Sequence, residues 1–162
     1  MKKIKDIMTE WPQSCSKNDS IQMVASQMSK ANIGFLPVVD ENREVVGTIT
    51  DRDVALAIGN TNQPIERLRA QDIMNSGAHT VTPEDEVDTA LEIMRTRQIG
   101  RLPVIDHTKK LKGVVSLLGI ARKLRGPEGK QEHEQNENIL STLHAIAERN
   151  KSRHSVGEYM EE

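Results

Sequence analysis

Apolar residues recur at helical spacing in two places far apart in the chain. Ile21, Val24, Ala25 and Met28 form one stripe and Val87, Ala90, Leu91 and Met94 another, each spaced to lay one helix face over a sheet. After each stripe the period shortens. Phe35 to Val39 and Arg101 to Ile105 read as strands, Asp40 to Glu44 and Asp106 to Lys110 as polar turns, and Val45 to Thr50 and Leu111 to Ser116 as the returning strands of two hairpins. A second, short helix is expected from near Asp51 to just before Gly59-Asn60, and its counterpart from Leu117 to Leu124 ahead of Arg125-Gly126-Pro127. With a first short strand near Ser14 to Ser16, or Thr80 to Thr82, each half reads β-α-β-β-α.

The two halves are one pattern written twice. Displaced by 66 residues, Ile4 to Ile58 aligns without a gap on Ala70 to Leu124, and such a duplication organises everything else. Asp6-Ile7-Met8 falls on Asp72-Ile73-Met74, Ile33-Gly34 on Ile99-Gly100, Leu36-Pro37-Val38 on Leu102-Pro103-Val104, and Gly47 on Gly113. The division expected is repeat 1 over residues 1–60, a Pro64-containing linker over 61–69, repeat 2 over 70–125 and a tail over 126–162. In that tail Ile139, Leu143 and Ile146 regain helical spacing, so an amphipathic helix is expected at about 137–150. It would pack on its own module, or on a dimer mate or another protein. Three short strands and two helices bury too little surface alone, so the fold expected is α/β (α+β), its two repeats packed sheet to sheet about a pseudo-two-fold axis around a cleft.

Composition narrows the functions open to such a fold. With 162 residues, 36% of them apolar, the chain has material for one core or two small ones. A net charge of -2 creates no field that would draw the whole molecule to nucleic acid or an anionic membrane. The charge is unevenly placed: up to Arg125 there are 18 basic against 16 acidic residues, and beyond it 4 against 8. Cys15 is the single cysteine, which rules out an intramolecular disulfide, and neither a secretion-type leader nor a membrane-length apolar run is visible. A cytoplasmic protein is expected. The five histidines lack metal-ligand spacing, no nucleophile elbow, phosphate loop or dinucleotide fingerprint occurs, and no enzyme activity, catalytic residue, metal or required cofactor is expected. The basic residues Arg95, Arg97, Arg101, Arg122, Lys123 and Arg125 lack interleaved aromatics, so nucleic acid is not an expected partner.

Chemistry concentrates at Thr50-Asp51-Arg52-Asp53, where a strand hands over to a helix and unpaired amides meet the positive end of the helix dipole. Thr50-x-x-Asp53 also has the spacing of a capping box, in which both side chains serve only the helix start. The repeated Asp-Ile-Met opening, the Ile-Gly-x-Leu-Pro-Val hinge and Gly47-Thr48-Ile49-Thr50-Asp51-Arg52-Asp53 together resemble the CBS domain, in two copies over about residues 4–125. The resemblance implies a disc-like pair of domains (a Bateman module), often a homodimer, whose clefts hold AMP, ADP, ATP or a related adenosyl ligand. By the same resemblance Thr50 would bond a phosphate and Asp53 both ribose hydroxyls, with Gly47 and Arg52 in the same motif. Adenine would lie against Cys15, Ile33 and Leu36, its edge read by backbone groups near Cys15 and along Gly34, Phe35, Leu36 and Pro37.

Repeat 2 departs from this pattern. Gly113 and Ser116 are kept, but Gly119 stands where Asp53 stands in repeat 1 and cannot hold a ribose. A weaker second site is therefore expected, drawing on Val81, Ile99, Gly100, Leu102, Pro103 and Ser116. Arg101 replaces Phe35 and, by family resemblance, would reach phosphate in the main site, unless it is an ordinary solvated arginine. The leading expectation is a regulatory adenine-nucleotide sensor acting on an unidentified protein. Its rival is a ligand-free dimerisation or protein-interaction module in which Thr50-x-x-Asp53 is a cap.

Overall fold

The computed structural model describes residues 2–124 and 133–152. In chain order the elements are α1 (Ile4–Ile7), β1 (Thr9–Glu10), β2 (Cys15–Ser16), α2 (Ile21–Ala31), β3 (Phe35–Val39), β4 (Val45–Thr50), α3 (Asp51–Asn60), α4 (Ala70–Ile73), β5 (Asn75–Ser76), α5 (Val87–Arg97), β6 (Arg101–Ile105), β7 (Leu111–Ser116), α6 (Leu117–Leu124) and α7 (His133–Ser152). A 3-10 turn at Ile65–Arg67 interrupts the expected linker. The chain is thus a mixed α/β protein with a four-stranded and a three-stranded sheet.

Both apolar stripes form helices that stop in the same way. The Ser20 hydroxyl accepts from the Met23 amide at the start of α2, satisfying one of the orphan donors of a helix start. At the other end Asn32 turns left-handed at φ 52°, and the Ile33 amide closes on the Met28 carbonyl. Gln98 repeats this at φ 53° at the end of α5, with Ile99 bonded to Met94. In both hairpin turns one aspartate oxygen organises the backbone: Asp40 Oδ1 accepts from the amides of Asn42 and Glu44, and Asp106 Oδ1 from those of Thr108 and Lys110.

Three expectations change. The strand expected at Thr80 to Thr82 shrinks to one bridged residue, Val81 beside Val104. α3 runs through Gly59 to Asn60, closed by the Thr61 amide on the Ala57 carbonyl. Two strands went unforeseen: β5 adds to β4 (Gly47 opposite Ser76, Thr48 opposite Asn75), and β1 adds to β7 (Glu10 opposite Gly113, Thr9 opposite Val114). The 66-residue displacement maps one pairing onto the other, so the leader of each repeat completes the other repeat's sheet. Gly47 allows this because a Cβ there would come within 2.7 Å of Met74 Sδ and 2.9 Å of the Asn75 carbonyl.

Two compact units divide the chain, and neither is simply one repeat. One comprises Thr9–Thr82 with Pro103–Val114; the other comprises the described residues up to Met8, Pro83–Leu102 and the described residues from Val115 on. The core of the first gathers Cys15, Val24, Met28, Leu36, Val38, Ile49, Val54 and Ala70. The second buries Val87, Ala90, Leu91, Met94, Ile120 and Ile139. In the latter α7 packs on α5 and α6, seating Ile139 and the buried Thr142, whose hydroxyl donates to the Asn138 carbonyl at 2.7 Å. No helix among the described residues is long and apolar enough to cross a membrane.

Candidate functional site

β4 ends where α3 begins, at Thr50, and this junction holds the residues singled out by sequence. Thr50 Oγ1 accepts from the Asp53 amide (3.2 Å) and donates to Asp53 Oδ2 (2.7 Å), while the Thr50 amide donates to the same oxygen (2.8 Å). The capping box is therefore complete. A fourth group joins it: Asn75 Nδ2 donates to Asp53 Oδ2 at 3.1 Å, placed there by the pairing of β5 beside Thr48. Oδ1 takes part in none of these bonds, so half of the carboxylate's accepting capacity is uncommitted to the cap. Asn75 was not foreseen as part of the site. Its signal was its place just after the second Asp-Ile-Met, but nothing in the sequence said that this leader joins the first repeat's sheet.

The surroundings of the junction are less favourable to an anion than the motif alone suggested. Asp51 is exposed, its Oδ1 accepts from the Arg52 amide at 2.8 Å, and the Asp53 amide is taken by Thr50 Oγ1. Two carboxylates thus share the first turn of α3, where they complement the dipole and offset it as an anion attractor. Arg52, between them in sequence, is exposed.

The other residues fall into separate environments. Cys15 and Leu36, expected as apolar walls for a base, are core side chains, 2% and 0% exposed. Pro37 is buried, while Phe35 is half-buried and stands opposite Thr50 in the hairpin. Burial, then the Asp19 carboxylate, pushes the Cys15 thiol up to about 12, and its Sγ lies 3.9 Å from the Pro37 carbonyl; it behaves as a small apolar residue. Ile33 and Gly34 line a groove between α2 and α3. A Cβ on Gly34 would meet Asp51 Oδ2 at 2.6 Å, so this glycine admits the carboxylate.

In repeat 2 the Ser116 hydroxyl accepts from the Gly119 amide at 3.0 Å with no carboxylate to complete a box. Leu102 and Pro103 are buried, Val81 is 2% exposed, and Arg101 is exposed at the head of β6. Ile99 is half-buried, and at Gly100 a Cβ would lie 3.9 Å from Ile146 Cδ1 of α7. Among the described residues no cluster of three or more His, Cys, Asp or Glu could hold a metal ion.

Known proteins place this geometry. Protein YlbB of Bacillus subtilis, itself uncharacterized, is 39% identical over 118 residues, 72% of this chain and 78% of that one. The CBS domain-containing protein YhcV of the same organism is 34% identical over 125 residues, 75% of this chain and 84% of that one. Among solved structures, the CBS domain pair of protein MJ0100, in complex with 5'-methylthioadenosine and S-adenosyl-L-methionine, is 31% identical with a TM-score of 0.68, covering 78% of this chain and 98% of that one. The sequence profile of the CBS domain matches residues 4–60 and again 70–126, and with the duplicated hairpin-and-helix architecture this shows that the chain belongs to the CBS domain family as a tandem pair.

Proposed function

We propose that the chain is a non-catalytic regulatory module that binds an adenosyl ligand at repeat 1, Asp53 Oδ1 accepting from the ribose and Thr50 orienting the group beyond it. The observation that carries this reading is the Thr50–Asp53 junction, half-buried, with one carboxylate oxygen fixed by three donors and the other left out of the cap. A carboxylate held in this way presents its remaining oxygen without further loss of side-chain freedom. The solved pair at 31% identity, with its two adenosyl compounds, supports the ligand class. Asp51 beside the junction favours a ligand with little negative charge, a nucleoside or sulfonium over a triphosphate. Signalling then requires only that the ligand prefer one conformation of the chain, which a partner reads. A cytoplasmic setting accords with such a ligand.

The completed capping box supports a second reading, in which this segment is purely structural. Calorimetric titration with methylthioadenosine, S-adenosylmethionine, AMP and ATP separates the two. The sensor gives saturable heat near one ligand per chain, weakened about ten- to a hundredfold by Asp53→Ala. Absence of heat with all four compounds, together with an unshifted melting temperature, would leave the structural reading.

A further inference from the structure

The duplication supplies an internal comparison at the groove between the two long helices of each repeat. In repeat 2 the α5–α6 pair is covered by α7. There Leu117 and Ile120 are buried, Ala121 and Ile99 half-buried, and Ile146 of α7 stands over Gly100. In repeat 1 the same positions are Asp51, Val54, Ala55 and Ile33. They line an open groove of about 480 Å³ between α2 and α3, with Ile33 37% and Ile58 47% exposed. The type of segment that fits this groove is thus visible on the other copy: an amphipathic helix crossing the Ile-Gly hinge.

Among the described residues α7 is the helix that does this, and it has apolar surface to spare. Leu140 and Leu143 are 64% and 49% exposed, and with the exposed Ala147 they form a strip at i, i+3 and i+7 beside the one that Ile139, Thr142 and Ile146 use. We propose that this second strip of α7 docks into the α2–α3 groove of a second copy of the chain, reciprocally, giving a dimer with two equal helix-in-groove contacts. A two-fold arrangement makes the pairing self-complementary and closed, so it ends at two chains. Each copy then contributes one helix strip and one groove.

Light scattering and sedimentation of the full chain over a concentration series test this with two variants, Leu140→Asp/Leu143→Asp on the helix and Ile58→Asp in the groove. All three positions are exposed, and circular dichroism checks that each variant is folded. The wild type is expected to be a dimer, and each variant to associate at least tenfold more weakly. An equimolar mixture of the two variants is expected to recover dimers, because the mixed pair keeps one intact contact. A monomeric wild type at about 100 μM, a helix-strip variant that dimerises normally, or a mixture that does not recover would overturn the proposal.

Discussion

Asp53 and Asn75 divide one hydrogen-bonded cluster into a part that would bind ligand and a part that only supports it. Asp53→Ala removes the reciprocal cap of α3 and is expected to cost about 1–2 kcal/mol, and with it the proposed ribose acceptor. Asn75→Ala removes one donor at an exposed position and is expected to cost at most about 1 kcal/mol, leaving adenosyl affinity within a few-fold of wild type. Urea melts paired with titration check both; an Asn75→Ala protein that loses the ligand as fully as Asp53→Ala would make Asn75 a contact rather than a support. Cys15 offers a separate test. Its thiol is pushed up to about 12 against an ordinary 9, so the folded chain keeps a proton that the unfolded chain releases as the medium becomes alkaline. The stability this represents is present below about pH 9 and is lost as pH rises towards 12. Cys15→Val, which copies the residue at the equivalent position in repeat 2, should remove that alkaline dependence and stay folded at neutral pH, as pH-stepped denaturation would show.

Elements long enough to show a period were legible in the sequence, and those too short were not. The stripes of α2 and α5 and both hairpins lie where the apolar spacing put them, because each covers or forms a buried surface. The leader strands β1 and β5 have two residues each; two residues carry no alternation, and their partners lie in the other repeat. The same shortness concealed Asn75, which reaches Asp53 only through that exchange. Thr50 and Asp53 were legible because a cap fixes both spacing and residue type, whereas the burial of Cys15 and Leu36 depends on what the sheet packs against. At this scale repeat 2 has a repairable defect: α6 begins at Ser116 with Gly119 where the box needs a carboxylate. Gly119→Asp would restore both the box and a residue with more helical preference, and is expected to raise stability by about 1 kcal/mol in thermal or urea melts. The new Cβ would sit 2.9 Å from Ser116 Oγ, a side-chain atom that can rotate, so a loss of stability would mean that this hydroxyl is held by its surroundings.

At the scale of the whole chain the sequence repeats and the compact units do not coincide. Residues 2–8 belong with 83–102 and with α7, while 9–82 belong with 103–114; the duplication was visible from identities, but the interleaving follows from the exchanged leaders and so was not. α7 joins one unit alone, through Ile139, 6% exposed, and Thr142. Ile139→Ala removes a buried side chain from the α5–α7 contact and is expected to cost about 2–4 kcal/mol. The location of the loss says more than its size. If the unit built on α5, α6 and α7 opens on its own, amide exchange in α5 and α6 should accelerate by about thirtyfold or more while α2 and α3 keep their protection. Equal acceleration in all four helices would mean that the two units unfold as one cooperative body, so that a change seated at the tail helix is felt at Asp53. The first outcome confines the tail's influence to its own unit; the second lets α7, and whatever docks on its outer strip, bear on the proposed ligand site of repeat 1.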